Sequence, residues 1–313
     1  MSNDKKIIAV LGSTGVQGGS VVRSLLADGT FAVRGLTRNV NGEAATKLKE
    51  AGAQVVFADL EDVESLKKAF KGVYGVFGVT VWALYLGVDK FDQDKSRDHE
   101  TQHGKNIVDA VESEGIKHLV WSTLEPTESS DLHVYHFESK ANVDKYIAAR
   151  KVPATLLFTS VFFSNLTRIP GWLKKEGDTV KVEIPIPHDV PIPWYDARGT
   201  GDWVVPILKN PDKWIGKRVD AYGSSNTPEQ VAEVLKKKTT GKNIVLTKFT
   251  DEQFHSAEFR KTPIGAELWL NMKFVAVGGL IRDPELSKQV NPNAFDLEQF
   301  VEKDEALKAF LSS

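Results

Sequence analysis

The run Gly12-Ser13-Thr14-Gly15-Val16-Gln17-Gly18 constrains this chain more than any other feature. It follows a short β-branched segment directly and opens an amphipathic one, so the glycines fall where a strand must turn tightly into a helix. Glycines at this spacing let backbone come close to a bound group without a Cβ clash. They also aim free N–H groups and the positive end of the helix dipole at it, which suits a dinucleotide pyrophosphate. The strand–turn–helix context close to the start of the sequence is what separates this pattern from a chance glycine cluster.

The rest of the first half repeats the arrangement. β-branched runs at 7–11, 32–37, 54–58, 75–79, 118–122 and 154–158 alternate with helical periodicity near 17–27, 44–51, 63–70, 94–113 and 138–150. Such βαβ units predict an α/β fold, a Rossmann-type doubly wound parallel sheet with right-handed crossovers. After Phe158, Pro170, Pro185, Pro187, Pro191 and Pro193 punctuate the chain, a texture that predicts neither continuous helix nor central strand. We therefore expect a dinucleotide-binding domain over 1–158 and a smaller α+β lobe over 159–313, with the chain free to cross between them. Helix starts in the second lobe are marked by Thr227-Pro228-Glu229-Gln230 and Thr250-Asp251-Glu252-Gln253.

Composition excludes several classes. With 313 residues, 41% hydrophobic and 26% charged, the chain is long enough for a large core and far from disorder. It has no cysteine, which removes disulfides, thiolate metal sites and a cysteine nucleophile. A net charge of −2 lacks the basic footprint of a nucleic-acid binder, so any part in gene regulation would run through a protein partner. The basic run Lys236-Lys237-Lys238 reads as the solvated end of a helix. No apolar stretch suggests a membrane span or a signal peptide, and the expected compartment is the cytoplasm, with the nucleus also open.

In open parallel sheets ligands lie beyond the carboxyl ends of the strands, so those positions name the candidates. The second strand ends Thr37-Arg38-Asn39, with a cation where an NAD-specific site places a carboxylate for the ribose 2′-hydroxyl. Arg38 suits a 2′-phosphate, which favours NADP(H). Asp59 and Leu60 follow the third strand at the expected adenine, although an Asp capping the next helix accounts for Asp59 equally well. Thr80 follows the fourth strand beside the expected ribose and nicotinamide.

These segments, with Ser122-Thr123-Leu124-Glu125, His136-Phe137-Glu138-Ser139-Lys140 and Phe162-Phe163-Ser164-Asn165, give a chain that resembles the NmrA-like family of atypical short-chain dehydrogenase/reductases over nearly its whole length. The resemblance implies NADP(H) contacts from Gly12 to Gln17, Arg38, Asp59, Leu60, Thr80, Lys140 and the Phe162 to Asn165 turn. It implies either a redox or nitrogen-status sensor acting on a protein such as a transcription factor, or an NADP(H)-dependent reductase of quinone-like or aromatic carbonyl substrates; a homodimer is open. Active dehydrogenases of the wider superfamily carry a Tyr four residues before the Lys. Here that position is His136, while Tyr135, five residues from Lys140, lies about 140° round the helix. Catalytic candidates are therefore His136, Lys140 and Ser122, against the alternative that Lys140 only binds ribose hydroxyls and His136 lines an inert cleft.

Three further motifs call for a reading. His99-Glu100-Thr101-Gln102-His103 matches the zinc-peptidase pattern, yet the sequence offers no third ligand, so we read one helix face running from cleft to core and expect no metal. Asn165-Leu166-Thr167 matches a glycosylation sequon but falls in the expected cofactor turn. Trp82-Ala83-Leu84-Tyr85 and Trp194-Tyr195 form either an apolar substrate pocket or lid, or the packing between lobes.

Overall fold

A computed structural model describes residues 5–127, 132–256, 261 and 263–312. Six strands of the first half, β1 (Ile7–Val10), β2 (Ala32–Thr37), β3 (Gln54–Phe57), β4 (Gly75–Gly78), β5 (His118–Thr123) and β6 (Ala154–Thr159), all pair in parallel. Every residue of β4 and β5 is buried, as helices on both faces demand, whereas Phe57 on the edge strand β3 is exposed. The helices are α1 (Val16–Asp28), α2 (Glu43–Glu50), α3 (Val63–Phe70), α4 (Trp82–Val88), α5 (Gln93–Ser113) and α6 (Tyr135–Arg150).

Two of these differ from expectation. α4 is a helix in the aromatic stretch after the fourth strand, which the sequence left unassigned. α6 begins three residues earlier than its periodicity suggested. Val134 turns the chain into it, its N–H donating to Thr127 Oγ1, and Phe137 anchors the first turn in the core. α5 and α6 cross closely because Gly104 leaves no side chain between them: a Cβ there would stand 2.3 Å from Val143 Cγ2.

The second half supplies β7 (Val161–Phe162), β8 (Leu173–Glu176), β9 (Thr179–Val182), β10 (Ile192–Tyr195), β11 (Arg218–Ala221), β12 (Ser224–Asn226) and β13 (Asn243–Leu246). Its helices are α7 (Asn165–Arg168), α8 (Gly201–Lys209), α9 (Pro211–Trp214), α10 (Pro228–Lys238), α11 (Asp251–His255), α12 (Pro263–Ala276), α13 (Pro284–Val290), α14 (Leu297–Lys303) and α15 (Glu305–Ser312). Both expected capping boxes form, and Asp296 with Gln299 makes a third. The chain crosses back to the first unit: β11 joins the edge of the large sheet beside β6, giving the order β11-β6-β5-β4-β1-β2-β3. α8 packs on α1 where Gly201 comes so near that a Cβ would meet the Ser20 carbonyl at 2.7 Å.

One expectation fails outright. β10 contains Pro193 and is the middle strand of a three-stranded sheet, β12-β10-β7. The proline is tolerated because only Trp194 and Tyr195 pair with β7, so its missing N–H falls outside that ladder. Trp194 is fully buried with Trp172, Phe163 and Phe300, and Tyr195 packs in T-shaped contact with Trp203, so this aromatic pair is packing rather than pocket wall. Among the described residues, no helix is long and apolar enough to cross a membrane.

Candidate functional site

The strand order reverses between β1 and β4, which opens a crevice at their carboxyl ends. The glycine run sits there. Gly12 has φ +59°, a left-handed conformation that favours glycine, and its carbonyl accepts from the Gly15 N–H at 2.8 Å. Gly18 packs so tightly under the turn that a Cβ would lie 2.3 Å from the Gly12 oxygen. Gly15 caps α1 with no side-chain acceptor, leaving first-turn N–H groups to a ligand. Gly12, Thr14 and Gly15 are exposed and Val16 is half-buried. Ser13 is buried and its hydroxyl donates to the Leu36 carbonyl at 2.9 Å, so that side chain ties the turn to β2.

Beyond β2, Arg38 and Asn39 are exposed, and Arg38 has no ion-pair partner among the described residues. Asp59 Oδ1 accepts from the Glu61 N–H at 3.1 Å, closing the turn after β3. The cap of α3 is Asp62 instead, accepting from the Glu64 and Ser65 N–H groups, which answers the alternative account of Asp59. Leu60 is held to α5 through its carbonyl, which accepts from Asn106 Nδ2 at 2.7 Å.

Deeper in the crevice, Lys140 and Thr80 come together as their positions implied. The buried Lys140 ammonium donates to the Thr80 carbonyl and to Thr80 Oγ1, both at 3.0 Å. Its third partner was not foreseen: Glu100 Oε1 on α5 accepts at 3.1 Å, and Ser139 Oγ donates to the same carboxylate. Glu100 is only 1% exposed, and the close α5–α6 crossing at Gly104 brings it within reach. Ser122 Oγ donates to Gln17 Oε1 at 2.9 Å, joining two candidate residues from opposite ends of the domain. One turn beyond Lys140, burial pushes the Asp144 carboxyl up to about 7, while Thr123 Oγ1 donates to it at 2.8 Å.

His136 lies on α6 one turn before Lys140, but the second half of the chain claims it. Glu267 and Asn271, four residues apart on one face of α12, flank the imidazole. Nδ1–H donates to Glu267 Oε1, and Nε2 accepts from Asn271 Nδ2 at 3.1 Å. Neither partner was legible, since each is over 130 residues distant in sequence. Tyr135 faces Arg97, whose guanidinium lies 6.0 Å from its ring, on a different side of the helix from Lys140. Phe162 and Asn165 are half-buried and Ser164 Oγ is buried without a partner, but Phe163 is fully buried, stacked on Trp194 and Phe300. The Phe163 ring is therefore core, and its backbone N–H donates to the Tyr195 carbonyl while its own carbonyl accepts from the Leu166 N–H.

The His99/His103 motif also changes. Its Glu100 is consumed by Lys140, and a third candidate group does lie beside the two histidines: Glu61, from the turn after β3, sits with His99 and His103 such that one ligand atom from each falls within 4.8 Å of the others. The sequence did not reveal this carboxylate because Glu61 is 38 residues from His99 and reaches it only through the fold.

Sheet order, crevice and glycine turn define a doubly wound α/β protein whose first strand–helix turn is shaped for the pyrophosphate of a dinucleotide. The chain belongs to the NmrA-like family, which it matches over residues 4–307. An NmrA-like family domain-containing oxidoreductase, cpsB, of Aspergillus campestris is 32% identical over 269 residues, covering 78% of this chain and 75% of that protein. Among solved structures, NmrA, a negative transcriptional regulator, in complex with NADP aligns with TM-score 0.75 at 20% identity over 99% of this chain and 98% of its own. The same regulator is known in complex with NAD. An NADPH-dependent quinone oxidoreductase of Escherichia coli, complexed with NADPH, aligns with TM-score 0.73 at 22% identity over 94% of this chain and 98% of its own.

Proposed function

We propose that the chain binds NADP(H) and acts as a sensor of redox or nitrogen status, in which dinucleotide occupancy biases a surface that engages a regulatory protein such as a transcription factor. One observation carries this reading: all three groups placed for proton chemistry are already saturated by the chain itself. Lys140 is neutralised by Glu100 and bonded to Thr80, His136 has both ring nitrogens engaged, and Ser122 donates to Gln17. A sensor needs only that NADPH and NADP⁺ bind the two states of the protein with different affinity. The choice of NADP(H) over NAD(H) rests on Arg38, an exposed cation at the end of β2 without an ion-pair partner among the described residues.

A second reading, an NADP(H)-dependent reductase of quinone-like or aromatic carbonyl substrates, is favoured by Glu267. A carboxylate on Nδ1 orients His136 and stabilises an imidazolium, which would protonate the carbonyl oxygen as hydride passes from NADPH to the substrate. The names of the curated relatives as oxidoreductases point the same way. The two separate in one assay of NADPH oxidation over a panel of quinones and enals. Turnover near ~1 s⁻¹ that collapses in His136→Ala would replace the sensor by the reductase; no turnover, with tight NADPH binding, supports the sensor. In calorimetry Arg38→Ala should abolish a preference for NADP(H) over NAD(H), and equal affinities in the unaltered chain would remove the 2′-phosphate assignment.

A further inference from the structure

We propose that Glu61, His99 and His103 form a binding site for a divalent transition metal of the zinc class, placed at the outer end of the dinucleotide crevice. Three ligand atoms within 4.8 Å are a beginning, but the surroundings of the two imidazoles are what make the site. His99 Nδ1–H donates to Asp89 Oδ2 at 3.2 Å, and Asp89 is itself buried. A carboxylate there fixes the tautomer that leaves Nε2 with a free lone pair, and Nε2 is the atom facing Glu61, 3.9 Å from Oε1. His103 Nδ1 lies 3.1 Å from the buried Tyr85 hydroxyl; with Nδ1–H donating to that oxygen, Nε2 is left for a ligand. The two rings meet edge to face with centroids 4.6 Å apart, one helical turn from each other on α5. Both metal-binding nitrogens are thus held by outer hydrogen bonds of the kind that orient histidines in metal centres.

The donor set is two neutral imidazoles and one carboxylate, suited to zinc and its neighbours and unlike the all-oxygen cages of calcium or magnesium. Metal–ligand bonds of ~2.0–2.2 Å in a tetrahedron set ligand atoms about 3.3 Å apart, so the cage must tighten by roughly 1.5 Å or less. The exposed Glu61 side chain can swing to do so. The fourth position stays open. Peptidase chemistry does not follow, because the motif's Glu100 faces Lys140 and is not available to activate water. What the metal does instead is mechanical: it ties the Asp59-Leu60-Glu61 turn to α5, beside the existing Asn106–Leu60 hydrogen bond, and so sets the wall of the crevice where adenine is expected.

The test uses the full chain stripped with a chelator. Zinc is titrated in competition with a chromophoric chelator, and cobalt(II) is followed by its visible absorption. We expect one zinc per chain, an intense tetrahedral-type cobalt spectrum and a zinc-dependent rise in Tm. His99→Ala and His103→Ala should each weaken binding at least about tenfold, Asp89→Asn by about 10–100-fold, and His133→Ala not at all. Glu61→Gln, at an exposed position, keeps the test decisive if a histidine variant fails to fold, and it should also weaken binding. Absence of stoichiometric uptake, or uptake unaffected by Glu61→Gln and by whichever histidine variants fold, would overturn the assignment.

Discussion

Replacing Lys140 by Met should damage the fold as much as any binding role, and the structure sets how much. Lys140 is 8% exposed and its ammonium neutralises Glu100, which is 1% exposed; without it a carboxylate stays buried with only Ser139 Oγ for support. Breaking a buried pair from one side costs about 3–5 kcal/mol, because the remaining charge has been stripped of water and given no counter-charge. For 313 residues, at about 2.1 cal/mol/K of unfolding entropy per residue, that corresponds to a fall in Tm of roughly 5–8 °C. Urea unfolding of Lys140→Met, Glu100→Gln and the double variant makes the comparison, reading the midpoint with the slope checked for constancy. The double variant removes the orphaned charge and should recover at least half of the loss. A Lys140→Met chain within about 1 kcal/mol of the parent, or a double variant no better than the single one, would mean that Glu100 is solvated or protonated and that the saturated-lysine account of the site is wrong.

Gly18→Ala should abolish dinucleotide binding measured by calorimetry, since its Cβ would sit 2.3 Å from the Gly12 oxygen and force the turn open; retained affinity would show that the turn does not hold the phosphates. Asp144 gives a pH signature. Its carboxyl is raised from 3.8 to about 7, so the folded chain keeps a proton that the unfolded chain releases. That contribution is present below the unfolded value and is lost as pH climbs through the folded one, up to about 4 kcal/mol in all. Asp144→Asn should therefore gain on the parent in urea midpoint between about pH 4 and about pH 7 and keep that margin above it, and profiles that stay parallel through that window would refute the assignment.

Much of the first half was legible because it obeys local rules. A parallel strand covered on both faces must be a short apolar run, and a helix over it must repeat near 3.6 residues, so β1 to β6 and five of the six helices could be placed from periodicity. The start of α6 was misplaced because the determinant, Val134 held by Thr127, is a turn contact rather than a periodic signal. α4 escaped notice because Trp82-Ala83-Leu84-Tyr85 carries no capping residue: Val81 offers no side-chain acceptor. Pro193 was weighed against a central strand without knowing that β7 is only two residues long.

By itself the sequence determined the glycine turn and the strand ends around it, which depend on residues close together in the chain and on backbone sterics, and the family, which rests on the residue types at those strand ends. Tertiary structure decided what those residues are free to do. Lys140 is paired because Gly104 lets α5 approach α6; His136 is saturated because α12 folds back across it; Glu61 meets His99 and His103 because the turn after β3 lies against α5. Charges and hydrogen-bond donors act over a few ångströms, and which groups come within that range is settled only when distant segments pack.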